Sequence, residues 1–142
     1  MSDRTNIYHI NHKSELYIST PLHIAISRGD FDIIEYLVDK FANVNNRNKD
    51  KATPLYMACH EGDLSLVIFL IKNGADVNRG INNTLTPLYI AIYQGYMDIV
   101  VCLVENGAYV NNPKEKTFTA LNIAIKRGHT HIAEYLKSKG AE

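Results

Sequence analysis

Tryptophan is absent, and cysteine occurs only twice, at Cys59 and Cys102. Two cysteines are too few for a disulfide framework. The opening stretch MSDRTNIYHINHK has no apolar core and does not read as a signal peptide. We therefore expect a reducing compartment, cytoplasmic or nuclear, with both thiols free. No long unbroken apolar run occurs, so no membrane helix is expected. Charge of either sign is not in excess. Fifteen basic and fifteen acidic residues leave a net charge of zero and a pI near 7.0. General nucleic-acid binding, which calls for a basic surface, is not expected. Catalytic signatures are missing too: there is no GxSxG, P-loop, GxGxxG or HExxH. His9 with His12 and His129 with His131 have conceivable ligand spacing but lack further Cys or carboxylate partners. Catalytic, cofactor and metal sites are accordingly expected to be none.

Four prolines are few, but three are placed with regularity. Pro21, Pro54 and Pro87 each follow a threonine, and Thr20, Thr53, Thr86 and Thr119 stand 33 residues apart. These threonines open TPLHIAISRGD, TPLYMACHEGD, TPLYIAIYQGY and TALNIAIKRGH. Ala25, Ala58, Ala91 and Ala124 recur in register, as do Gly29, Gly62, Gly95 and Gly128. Each unit continues with an apolar helical pattern: IIEYLV, LVIFLI, IVVCLV, IAEYLK. Threonine is a good helix N-cap, and proline suits the first helical position, where its missing N–H costs nothing. The glycine supplies a left-handed residue to end a short helix. Neither helix of a unit is long enough to be stable alone, so units must stack and bury their shared faces.

With its 33-residue period and T-P-L-H-x-A start, the chain resembles the ankyrin repeat family. The resemblance implies an all-α repeat solenoid. Helix-turn-helix units 20–52, 53–85, 86–118 and 119–142 would be joined by short β-hairpin-like loops. Residues 1–19 read as a lead-in half hairpin. Departures from the family pattern carry expectations. Only His23 keeps the histidine after the motif threonine; Tyr56, Tyr89 and Asn122 replace it, so the Thr–His bonding should change in three units. Ile18, Lys51, Thr84 and Thr117 stand where the family has a hairpin-tip glycine, and we expect reshaped tips there. Phe41 replaces the glycine seen at Gly74, Gly107 and Gly140. On the second helix, Ile34, Val67 and Val100 give way to Ala133, and Val38, Ile71 and Val104 to Lys137. The fourth unit thus reads as a cap.

The resemblance also implies a non-enzymatic protein-binding module. Its partner, another protein, would dock on the concave face made by the hairpin tips and first helices. By register that face includes Tyr17, Arg28, Lys49, Asp50, His60, Glu61, Leu85, Tyr93, Gln94, Phe118, Lys126 and Arg127. Leu85, Tyr93 and Phe118 are the expected apolar anchors, with the charged residues around them as a rim. Residues 112–142 carry six basic and three acidic side chains, a mild gradient along the array. Ile68 and Val101 occupy convex positions where the family has charge, and offer a second contact or a weak self-association site on an otherwise monomeric chain. Asn45 and Asn78 stand where the family can be hydroxylated; by themselves they read as residues that order the hairpins. The alternative roles are a targeting or substrate-recruiting subunit of a larger assembly, such as a ubiquitin ligase or a pathogen effector complex, and an enzyme with no recognisable motif.

Overall fold

The computed structural model describes residues 19–112 and 118–142. Among them are eight helices: α1 Pro21–Arg28, α2 Phe31–Asp39, α3 Pro54–Glu61, α4 Leu64–Lys72, α5 Pro87–Gln94, α6 Met97–Glu105, α7 Ala120–Lys126 and α8 Thr130–Ser138. No strand occurs among the described residues, so the hairpin-like loops are tight turns without a ladder. Each first helix starts on its threonine. Thr20, Thr53, Thr86 and Thr119 accept, through Oγ1, the N–H of the residue three positions on. The first three first helices end at Gly29, Gly62 and Gly95, all with positive φ.

The helices form two rows. α1, α3, α5 and α7 make the inner row, and α2, α4, α6 and α8 the outer. Inner-row neighbours approach one another more closely than outer-row neighbours, which curves the stack around the first helices. The core repeats with the sequence. Ala58, Ala91 and Ala124 are fully buried on the inner row, while Leu70, Leu103 and Leu136 are fully buried on the outer. Burying one such leucine contributes on the order of 2 kcal/mol.

The unit-to-unit seam is stitched by amides. Asn45 donates from Nδ2 to the Gly74 carbonyl (2.9 Å) and accepts the Asp76 N–H (2.8 Å). Asn78 repeats the pair with Gly107 (3.1 Å) and Tyr109 (2.9 Å), and Asn111 with Gly140 (2.8 Å) and Glu142 (2.9 Å). These asparagines order the loops as expected, and they do so by tying each unit to the next. At the other seam position, Asp30 and Asp63 cap α2 and α4. Tyr96 and His129 replace them without capping. Their rings lie instead over the glycine of the preceding unit: a Cβ on Gly62 would stand 2.7 Å from Tyr96 Cζ, and one on Gly95 2.7 Å from His129 Cε1.

Three structural expectations need comment. His23 alone joins its threonine (Nδ1 to Oγ1, 2.7 Å), and its Nε2 reaches the Ala52 carbonyl of the next unit at 3.1 Å. In the other units threonine keeps only the backbone cap, and Thr53 donates its hydroxyl to the Arg79 carbonyl at 3.3 Å. The tip expectation holds at Thr84 and fails at Lys51. Lys51 keeps the left-handed conformation (φ 64) despite its side chain, because Asn48 Oδ1 accepts the N–H groups of Asp50 and Ala52 and clamps the turn. At the third tip φ stays negative, and Asn82 Oδ1 organises a different turn through the N–H groups of Thr84 and Leu85. Ile18 and Thr117 lie outside the described residues. Of the two second-helix positions read as a cap, Ala133 is buried and Lys137 is exposed. On α7 Ile125 is 56% exposed where Ile26, Cys59 and Ile92 are buried.

Candidate functional site

An open groove of about 600 Å³ lies beneath the loops of the first three units and against the first helix of the fourth. The loop residues Arg47, Arg79, Asn82 and Asn112 line it, as do Tyr89 of α5, Tyr109, and Phe118 at the entry to α7. Its volume falls in the range of ligand-binding clefts. Loop-to-loop hydrogen bonds hold the walls. Arg47 donates from Nη2 to the Gly80 carbonyl at 3.0 Å, and Asn112 donates to the Asn83 carbonyl. The Nε of Arg47 is buried and has no hydrogen-bond partner among the described residues.

Two aromatic residues stand out from the groove wall, Tyr109 at 70% and Phe118 at 53% exposure. Lys126 lies over the Phe118 ring, its Nζ 5.8 Å from the centroid. Next to this is a second aromatic pair. Tyr89 and Tyr93 stack with centroids 6.0 Å apart, and the Arg127 guanidinium covers Tyr93 at 4.2 Å. Arg127 Nε and His129 Nε2 both approach the Tyr93 carbonyl, at 3.3 and 3.4 Å. Each cation–ring contact contributes about 0.5–1 kcal/mol on an exposed surface and fixes the ring it covers. Such rings are preorganised for contact.

The remaining residues chosen from sequence fall as follows. Arg28, Lys49 and Asp50 are exposed on the first two units. His60 and Glu61 are exposed neighbours, 3.5 Å apart from Nδ1 to Oε1. Gln94 is half-buried, and so is Leu85, whose backbone carbonyl accepts the Ile81 N–H. Leu85 is thus less available than an exposed anchor would be. Tyr17 lies outside the described residues, as do His9 and His12. The convex pair divides: Ile68 is exposed, but Val101 is half-covered. Phe118 borders the groove, whereas Tyr93 sits beside it behind Tyr89.

Arg47, Arg79, Tyr89 and Tyr109 were not singled out by register. Arg47 and Arg79 are 32 residues apart, one short of the repeat, so no aligned column contains both. Tyr89 was read only as a lost histidine; the signal was the pair Tyr89 and Tyr93, one helical turn apart.

No group of three or more His, Cys, Asp or Glu able to hold a metal exists among the described residues. Cys59 is fully buried, and desolvation pushes its thiol far above the usual range; Cys102 is half-buried and raised by the same cause, with the Asp98 carboxylate adding to it. Neither thiol has the electropositive setting that makes a nucleophile. No helix among the described residues is long and apolar enough to cross a membrane.

Comparison with known proteins agrees with this architecture. None of the curated proteins matches the chain. A family model described as ankyrin repeats in three copies matches residues 5–81 and again 79–142. That family is a non-enzymatic interaction fold and a general module for protein–protein contact. With nearly the whole sequence matched, and with capped helix pairs stacked at a 33-residue period, the chain belongs to the ankyrin repeat family.

Proposed function

We propose that this protein binds a partner protein through the concave face of units two to four and acts as an adaptor or as an inhibitor by occlusion. The observation that carries the reading is the loop groove with its two exposed, cation-braced aromatic patches, Phe118 with Lys126 and Tyr93 with Arg127. Folding does not require aromatic rings at those exposed positions, and rigid exposed aromatics are the usual anchors of interfaces. Rigidity matters because an ordered surface docks a partner with little entropy left to lose. Arg28, Lys49, Asp50, His60 and Glu61 extend the same face as a charged rim, and Tyr17 belongs to it by register. The free thiols of Cys59 and Cys102 support work in a reducing compartment, the cytoplasm or nucleus.

A pull-down from source lysate tests this, comparing the unmodified chain with a Tyr93→Ala/Phe118→Ala variant of equal helicity. Capture by the unmodified chain and loss by the variant is the expected result. Equal capture by both would overturn the concave reading. Ile68 on the convex face would then be the next residue to change, as either a partner contact or a self-association site.

A further inference from the structure

The groove has a charge pattern that narrows what it can hold. Arg47 of the first unit and Arg79 of the second line it, and neither makes an ion pair among the described residues. Lys126, over Phe118 on the fourth unit, is likewise without a carboxylate partner. Tyr89, Tyr109 and Phe118 of the third unit line the same groove. One carboxylate, Asp76, lines the groove, and its Oδ1 is already engaged by the Asn78 N–H at 3.0 Å. The lining therefore combines two arginines with three aromatic rings and several amide side chains, and Lys126, though not itself on the wall, adds a cation beside Phe118. Carboxylates matched to arginines in a sheltered groove form strong charge-assisted bonds, and guanidinium geometry favours them.

We infer that the groove takes an extended acidic segment of a partner protein with one bulky apolar side chain at its centre. The apolar side chain meets Phe118 and Tyr109, and flanking carboxylates meet Arg79 and Arg47 on the wall and Lys126 beside Phe118. Single-stranded nucleic acid also combines anions with stacking rings, but the zero net charge of the chain and the carboxylate of Asp76 in the groove disfavour it. This inference rests on the groove reading above and adds the chemistry of the partner to it.

The probes are three fluorescein-labelled peptides on the full chain: Glu-Glu-Phe-Glu-Glu, Lys-Lys-Phe-Lys-Lys and Gln-Gln-Phe-Gln-Gln. A labelled oligothymidylate is the fourth. Anisotropy should show the acidic peptide binding at least about tenfold more tightly than the lysine or glutamine peptide, with affinity falling as salt rises. Arg79→Glu and Lys126→Glu should each weaken the acidic peptide by about tenfold or more, and Arg79→Gln by less. The Arg79 side chain makes no protein hydrogen bond in the described structure, so equal melting curves are expected and confirm that folding is intact. Equal binding of acidic and basic peptides, no binding of the acidic peptide, or tighter binding of the oligonucleotide would each overturn the inference. The pull-down separates the two levels. Partner capture that is lost in the Tyr93→Ala/Phe118→Ala variant but unchanged in Arg79→Glu keeps the groove and refutes the acidic segment. Capture unchanged in both refutes the groove itself.

Discussion

Phe41 follows α2 with φ 67, in the conformation that Gly74, Gly107 and Gly140 adopt after the later outer helices. A side chain held there costs roughly 1–2 kcal/mol of backbone energy. Glycine removes that cost but gives up about 0.5–1 kcal/mol more backbone freedom on folding. Phe41 is 74% exposed, so about a quarter of the residue's surface is covered and loss of the ring costs about 0.5 kcal/mol. Phe41→Gly should therefore gain only about 0–0.5 kcal/mol. Phe41→Ala loses the ring and keeps the strain, so it should fall slightly below the unmodified chain. The difference between the two variants isolates the backbone, and it should be about 0.5–1 kcal/mol in favour of glycine. Urea unfolding followed by circular dichroism measures it through the midpoint at constant slope. In a chain of this size the melting temperature should differ by about 1–4 °C. A glycine variant no more stable than the alanine variant would refute the strain reasoning.

Other outcomes follow from the same structure. Asn78→Ala strands the Gly107 carbonyl and the Tyr109 N–H at the seam between two units. It should cost about 2 kcal/mol in urea unfolding. Leu103→Ala empties a fully buried site on α6 and should cost about 2–5 kcal/mol by the same assay. In the native state Cys59 should resist a thiol reagent that slowly modifies Cys102, and both should react once urea unfolds the chain. Glu105 is held below the usual carboxylate range by hydrogen bonds from Lys139 and Tyr135. Its contribution should be present above the unfolded carboxylate value and vanish as pH falls through the lower folded value. The stability difference from Glu105→Gln, followed across pH, should disappear on the acid side.

The fold was legible because its determinants repeat. Threonine, proline and glycine recur at fixed offsets, and each has a local job that needs no knowledge of the rest of the chain. Asn45 and Asn78 could be read as loop-ordering residues, but not as seams. Their partners lie about thirty residues away and become visible only when the units stack. Lys51 defeated the expectation drawn from chirality because the Asn48 clamp outweighs a modest backbone cost. The site was less legible than the fold. Register aligned Tyr93, Phe118 and Lys126 on one face, yet it ranked Leu85 as an anchor although turn geometry half-buries it. Arg47 and Arg79 escaped because they break register by one residue and meet through loop shape. Repetition exposes what every unit shares, and a recognition site is made from what the units do not share.

Hydrogen exchange of the chain with and without its captured partner tests the central claim most directly. On binding, amides of residues 79–94 and 118–127 should gain protection, while those of α4 and α6 on the outer row should not change. Protection confined to α4 and α6, with the loops and first helices unaffected, would contradict concave-face recognition.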